Sequence, residues 1–504
     1  MAPTTAGVTI QLKVISMKKI LLLSLIGSLS IVNAQKNASE KPNIIYIYAD
    51  DLGYGELGCY GQQKIKTPNI DKLASEGIRF TQHYSSAPVC APARCMLLSG
   101  KHGGHSYIRG NYELGGYADD QEGGQMPLPE LFPTVATLLK ENGYVTGGIG
   151  KWGLGAALSS GDPLLHGFDY FFGYMDQKQA HNYYPTHLWE NGKYFPLNNP
   201  FFSSHQKIEK APEDLSFYNR YKGNQYAPDV MTEKAIDFIQ THKAKPFFLY
   251  LPYTLPHLAL QVPDEALQPY LGKFEETPYL GDHGYLPHPY PYSAYAAMIS
   301  TLDSYVGKIV SLLKELNLEG NTVVMFSSDN GATFTGGVNR EYFNSSGGLR
   351  GGKMEVYEGG IRVPFIAKWP GRIKPGSVSH AVTVQYDVLA TLSELTHSKA
   401  YPNDGRSFLP DMLGKKSKAR EFLYFEYPEN KGQVAIRMGN WKGVMLNMKE
   451  GNKKWELYDL LHDESETHNL ADAHPEIIQQ LDALLKREHQ HAHIKEWEFV
   501  DPKY

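Results

Sequence analysis

The run Pro88-Val89-Cys90-Ala91-Pro92-Ala93-Arg94-Cys95-Met96-Leu97-Leu98-Ser99-Gly100-Lys101 places more reactive chemistry together than any other stretch of the chain. It predicts a helix that begins near Cys90 and ends at Gly100. Pro92 suits a first helical turn, where its missing N–H costs nothing. Arg94 then lies one turn from Cys90 on the same face. A nucleophile at a helix N-terminus beside an arginine is arranged to meet an anion, because unpaired backbone N–H groups and the helix dipole converge there. A lone helical cysteine is most often a small buried hydrophobe, so the reading rests on what accompanies it.

Two other segments end an apolar strand in oxygen ligands. Asn43-Ile44-Ile45-Tyr46-Ile47-Tyr48-Ala49 runs into Asp50-Asp51, and Thr322-Val323-Val324-Met325-Phe326-Ser327-Ser328 runs into Asp329-Asn330. Both runs have strand length and β-favouring composition. Adjacent aspartates repel unless a cation lies between them, and strand C-termini are where open α/β sheets bind ligands. Asp50, Asp51, Asp329 and Asn330 offer only oxygen, a set suited to Ca²⁺ or Mg²⁺ and poorly suited to zinc. So acidic a site needs nearby cations to hold an anionic substrate. Lys151 stands in Gly147-Gly148-Ile149-Gly150-Lys151-Trp152-Gly153, and Lys353 in Leu349-Arg350-Gly351-Gly352-Lys353. His257 closes Pro252-Tyr253-Thr254-Leu255-Pro256-His257, after the apolar strand that ends at Leu251.

These blocks, in this order, resemble the type I, formylglycine-dependent sulfatases of the alkaline phosphatase superfamily, an arylsulfatase-like group that includes exported bacterial polysaccharide sulfatases. The resemblance spans about Lys41 to Ala471 and is carried by Cys90-x-Pro92-x-Arg94 with Leu98-Ser99-Gly100-Lys101, by Thr146 to Gly155, and by Leu349 to Lys353 with Glu358 to Pro364. It implies that a formylglycine-generating or sulfatase-maturating enzyme oxidises Cys90 to an aldehyde. It implies one calcium ion on Asp50, Asp51, Asp329 and Asn330, joined by residue 90. Arg94, Lys151 and Lys353 would hold the sulfate, and His257 would serve the leaving group. The implied reaction is attack of the hydrated aldehyde on sulfur, then release of sulfate as the aldehyde re-forms. One position departs: many members have a histidine where this chain has Gly153. His105, ahead of His102, is the expected replacement base, or else both contact sugar or simply pack. Arg109, Asn111 and His181 are expected to contact substrate. His181 lies in an apparent insertion between Gly167 and Asn191, where polar groups alternate with aromatics.

The elements that must position these residues follow from the rest of the chain. Strand-like and helix-like segments alternate from Asn43 to about Leu395, which predicts an α/β fold: a large central mixed β-sheet flanked by helices, alkaline phosphatase-like by the resemblance. Short strands near residues 421–426, 433–438 and 442–446 and a final helix from Pro475 predict a smaller C-terminal subdomain of antiparallel sheet plus helix. The expected divisions are 1–34, 35–400 and 401–504. Met17-Lys18-Lys19, the apolar run Ile20 to Val32, and Ala34 read as an export signal, with translation starting at Met17. That run is too short to span a membrane, and no cysteine follows it to carry a lipid. The expectation is a periplasmic or secreted protein without a stable membrane anchor.

Composition agrees. At 504 residues, 42% hydrophobic and 20% charged, the chain has the make-up of a globular protein with a large core. A net charge of −5 argues against a nucleic-acid partner. Thirty-four tyrosines suit sugar-binding surfaces as well as cores. Cys59, Cys90 and Cys95 are too few for a disulfide scaffold, and a Cys59–Cys95 pair stays open. The expected activity is hydrolysis of sulfate esters of carbohydrates: a sulfated polysaccharide or oligosaccharide, algal such as ulvan, or a host glycan. Two other readings remain. A phosphonate or phosphate ester hydrolase of the same superfamily would prefer aryl phosphonates to aryl sulfates. A non-catalytic sulfated-glycan-binding protein would not need Cys90, Arg94, Lys151, His257 and Lys353 together.

Overall fold

In the strand Asn43–Ala49, Ile45, Ile47 and Ala49 point to one hydrophobic layer, and Ile44, Tyr46 and Tyr48 to the other. Side chains alternate along a strand, so a run apolar at every position must be covered on both faces. The computed structural model, which describes residues 41–114 and 121–501 together with 1, 3, 4 and 7, shows that cover. The first layer holds the helices Ala227–His242 and Pro291–Glu315, through residues such as Met231, Phe238, Tyr295 and Leu302. The second holds Cys90–Ser99, Val135–Glu141 and Val388–Leu395, through Ala91, Leu98, Leu139 and Leu392. Pro291–Glu315 has the length and hydropathy of a membrane span, but its apolar residues are spent on this core.

Among the described residues the sheet has ten strands. In spatial order they are Ser377–Ser379, Ile78–Phe80, Phe365–Lys368, Thr322–Ser328, Asn43–Ala49, Phe247–Pro252, Val145–Lys151, Tyr170–Tyr174, His187–Glu190 and Lys193–Pro196. The five from Thr322–Ser328 to Tyr170–Tyr174 are mutually parallel, while Phe365–Lys368 and the last two strands run antiparallel to their neighbours. The sheet is therefore mixed, as expected. The segment read as an insertion after Gly167 supplies two of its strands.

A separate antiparallel sheet, Leu423–Tyr427, Gln433–Met438, Trp441–Met445 and Glu456–Asp459, packs with the helix Pro475–Glu488 through Ile436, Leu457 and Leu481. Its other face joins Phe425, Ala435 and Tyr458 to Tyr84, Val89 and Tyr386 of the first part of the chain. The change near residue 400 is thus a change of sheet, within one compact unit, Pro42–Tyr504. Residues 17–40, which carry the expected export signal, lie outside the described residues. Cys59, Cys90 and Cys95 are all free thiols, so the Cys59–Cys95 pair is absent.

Candidate active site

Parallel strands deliver the site from one edge. Asp50 and Asp51 follow Asn43–Ala49, Asp329 and Asn330 follow Thr322–Ser328, Lys151 ends Val145–Lys151, and the His257 loop follows Phe247–Pro252. Backbone bonds cross-link these strand ends. Asp329 N donates to Ala49 O and Asp50 N to Leu255 O, each at 3.0 Å. Asp51 N donates to Asp329 Oδ1 at 3.0 Å, and Leu52 N to Ser328 Oγ at 2.9 Å. Asp51 takes φ 65°, a turn that aspartate tolerates better than most residues.

Cys90 opens its helix as predicted, and the helix ends at Gly100 with φ 71°. The thiol is buried and donates to Asp50 Oδ1 at 3.3 Å, with Asp51 Oδ1 at 3.9 Å. Arg94 sits beneath it. Its Nη2 lies 2.9 Å from Asp329 Oδ2 and 3.4 Å from Asp50 Oδ2, and its Nη1 donates to Lys151 O at 2.8 Å. Lys151 Nζ reaches Asp50 Oδ2 at 2.7 Å, and Lys353 Nζ reaches Asp51 Oδ2 at 2.8 Å. The Lys353 loop is tied to the helix start, where Met354 N donates to Pro88 O at 2.9 Å.

His257 faces this group from the other side. Its Nδ1 lies 2.7 Å from Leu258 O, and a carbonyl only accepts, so Nδ1 carries the hydrogen. Nε2 then accepts from Lys353 Nζ at 3.0 Å. His181 stacks on His257, with ring centroids 4.8 Å apart and an interplanar angle of 11°, and its Nδ1 lies 3.0 Å from His205 Nε2.

The charges balance in kind: three carboxylates, Asp50, Asp51 and Asp329, against Arg94, Lys151 and Lys353. Burial raises the Asp50 carboxyl, but Lys151, His257 and Arg94 outweigh it and hold it well below the ordinary range. Asp329 goes the other way, pushed up to about 7 by burial and the Asp50 charge. Burial, then the charge of Lys353, lowers His257 to about 4. Burial and the neighbouring Asp50 push the Cys90 thiol well up, so it is no ready thiolate.

The donors fit a hard cation. Asn330 Nδ2 donates to Asp51 Oδ1 at 2.7 Å, while Asn330 Oδ1 is buried with no hydrogen-bond partner among the described residues. One atom each of Asp50, Asp51, Cys90 and His257 also cluster within 4.8 Å. Both nitrogens of His257 are already engaged, which leaves the oxygen set and residue 90 for an ion. A dication would turn the balanced site positive, as an anionic ester requires.

Above these groups opens a cavity of about 470 Å³. Cys90, Lys151, His181, His257 and Lys353 line it, together with Asn111, Glu113, Gln177, His205, Tyr285, Tyr427 and Glu429. His181 and Asn111, expected at the substrate, are among the lining residues. His105 and Arg109 are not among the lining residues, and each is satisfied elsewhere. His105 Nδ1 lies 3.0 Å from Asp404 Oδ2, and its ring stacks on His102. His102 Nε2 in turn lies 3.1 Å from Glu488 Oε2. Arg109 is buried against Glu426 and the carbonyls of Gly104, Ser106 and Gln490. These contacts make both residues supports of the Lys101–Asn111 turn, which corrects their expected place at the substrate. His205, Tyr285, Tyr427 and Glu429 were not anticipated. They reach the cavity from separate loops and from the second sheet, and no local pattern marks them.

Comparison with known proteins bears on this geometry. Residues 42–398 match the family model for sulfatase, and residues 352–492 the model for the C-terminal part of N-sulphoglucosamine sulphohydrolase. The chain is 32% identical to the N-acetylgalactosamine-6-O-sulfatase of Bacteroides thetaiotaomicron, over 89% of this chain and 93% of that protein. Ps i-CgsB, solved with k-i-k-neocarrahexaose, aligns with a TM-score of 0.71 and 27% identity, covering 90% of this chain and 94% of that one. A sulfatase structure from work on glycosaminoglycan metabolism by Bacteroides thetaiotaomicron aligns with a TM-score of 0.69 and 31% identity, covering 89% and 99%.

Proposed function

The chain belongs to the sulfatase family and is a sulfuric ester hydrolase, and on that premise we propose that it is exported and removes sulfate from carbohydrates, with an aldehyde made from Cys90 and one calcium ion. The observation that carries this reading is Cys90 at the floor of a cavity, its thiol against Asp50 and Asp51, with Lys151 and Lys353 on those same carboxylates. The buried thiol, with its raised pKa, is a poor nucleophile as it stands. Conversion to the aldehyde by a maturating enzyme supplies, as the hydrate, an oxygen nucleophile. Calcium on Asp50, Asp51, Asp329, Asn330 and residue 90 supplies Lewis-acid polarisation at that point.

The protein's own groups do the remainder. Lys151 and Lys353 turn from their carboxylates to the sulfate oxygens and hold them as charge redistributes. Arg94 keeps Asp329, Asp50 and the Lys151 carbonyl in register beneath residue 90. The Nδ1–H bond to Leu258 O fixes the His257 ring so that Nε2 is the atom that carries the proton for the departing sugar oxygen once Lys353 Nζ, 3.0 Å away, turns to the sulfate. A negatively charged ester opposes the lowering of the His257 pKa. Asn111, Glu113, His181, Tyr285 and Glu429 offer hydrogen-bond groups and rings to a sugar.

The substrate class follows from the relatives. One is named for N-acetylgalactosamine 6-O-sulfate, and another was solved with k-i-k-neocarrahexaose. A sulfate-release screen therefore begins with N-acetylgalactosamine 6-sulfate and extends to carrageenan, ulvan and other glycosaminoglycan oligosaccharides. The segment from Met17 to Ala34 supports export.

The mechanism is tested at residue 90. Mass spectrometry of the peptide spanning Cys90 in active enzyme should show sulfur lost and the aldehyde in its place, and Cys90→Ala should be inactive. Full turnover with an intact thiol would sink the mechanism.

A further inference from the structure

Position 153 is a glycine with φ +72°, in the left-handed region. Pairing of Val145–Lys151 with Tyr170–Tyr174 runs on past Lys151: Trp152 N donates to Tyr174 O at 2.9 Å, and Gly153 N to Met175 O at 3.1 Å. Asp176 secures the following turn, its carboxylate accepting from Lys178 N at 2.7 Å and Gln179 N at 3.3 Å. Gln177 is held between these anchors. A Cβ placed on residue 153 would lie 2.9 Å from Gln177 Cγ and 3.2 Å from its Cδ. The glutamine therefore fills the volume that a side chain on residue 153 would enter. Its side chain lines the same cavity as Cys90 and Lys151, yet its Oε1 is buried with no hydrogen-bond partner among the described residues. A buried acceptor left unmet costs about 1–3 kcal/mol, so this one is placed to be met by a group within the cavity.

We propose that Gln177 is a positioning residue of the sulfatase reaction, its amide occupying the space beside Gly153 and holding the reacting hydroxyl on residue 90. The proposal rests on the aldehyde reading of Cys90. A glutamine amide accepts and donates hydrogen bonds but has no proton that titrates near neutral pH. It orients the hydroxyl and does not act as the base. Gly153 and Gln177 form one unit, in which a small residue at the first position makes room for the second.

Residue 90 is first read by mass spectrometry in each protein, and rates are expressed per aldehyde. Gln177→Met keeps the volume and removes the amide. Its kcat should fall about tenfold or more, with KM within about threefold of wild type. Gly153→His alone drives an imidazole into Gln177 and should be nearly inactive. Histidine is among the side chains that tolerate positive φ, so Gly153→His combined with Gln177→Ala should exceed Gln177→Ala by about tenfold in kcat. A wild-type kcat in Gln177→Met, or a double variant no better than Gln177→Ala, overturns the proposal and leaves the aldehyde reading standing. An intact thiol in active wild-type enzyme overturns both.

Discussion

Asn330 Oδ1 is a buried acceptor with no donor among the described residues, next to three carboxylates whose charges the surrounding lysines and Arg94 only balance. Burial and the charge of Asp50 push Asp329 up to about 7 even with Arg94 bridging the two carboxylates. A hard cation relieves both features at once. Chelation should therefore lower the melting temperature as well as the activity. Calcium at about a hundred times its Kd should restore about 2.7 kcal/mol of stability. A melting curve and a rate that both ignore chelator and added calcium would remove the metal from this site. At this scale the expected ligand oxygens were legible as a set, because each pair ends an apolar strand. His105 and Arg109 were misplaced for a different reason. They follow the nucleophile helix closely in sequence, but partners from residues 404, 426 and 490 claim their side chains, and such distant partners leave no mark on the local pattern.

The strand Val145–Lys151 shows what an element contributes. A Cβ on Gly150 would meet Pro252 O at 2.0 Å, and one on Gly173 would meet Gly150 O at 1.9 Å. Three strands close up here because two of them lack side chains, and that closeness sets Lys151 against Asp50. At Gly148 a Cβ would meet only aromatic rings, that of Phe168 at 3.2 Å and that of Phe171 at 3.3 Å. A ring can shift where a backbone carbonyl cannot. Gly150→Ala should lower kcat/KM by about 100-fold, the scale of an ångström-sized misplacement, and Gly148→Ala by less than about fivefold. Steady-state kinetics on the two variants checks this, and equal effects would deny the strand its positioning role. The inner strands could be read from their apolar runs. Tyr170–Tyr174 and His187–Glu190 could not, because aromatics interleaved with polar residues suit a half-covered sheet edge as well as a sugar site. Only the turn between them, with Gln177 and His181, reaches the cavity.

Across the whole molecule, the second sheet braces the loop that carries Lys353. Lys442, on the strand Trp441–Met445, lies 2.9 Å from Glu358 Oε1 and 2.8 Å from Glu466 Oε1, and all three are buried. Glu358 N donates to Glu466 Oε2 at 2.7 Å, and Tyr84 Oη donates to Glu358 Oε2 at the same distance. Glu358 follows Lys353 by one short turn, so this network ties the second sheet to the Lys353 loop and to Tyr84 behind the site. Burial raises Glu466 to about 7, against the pull of Lys442. Glu358 is held below its usual value because Lys442 and Arg362 outweigh burial. Unfolded, Glu466 would lose its proton near 4.5. Between 4.5 and about 7 the folded chain holds more protons, so this group's contribution is complete below that window and is lost as the pH rises through it. Glu358 acts in the opposite sense: its contribution is present above its ordinary pKa and is lost as the pH falls. Lys442→Met leaves two buried carboxyls with one attraction fewer, a loss tolerable while both are protonated and severe once they ionise. The variant should lose about 3–5 kcal/mol near pH 8 and clearly less near pH 5, by denaturant unfolding at each pH. Because Lys353 depends on this brace, activity should fall with stability at the higher pH. A loss of the same size at both pH values would mean that packing of the lysine stem, not its charge, holds the second sheet to the Lys353 loop here.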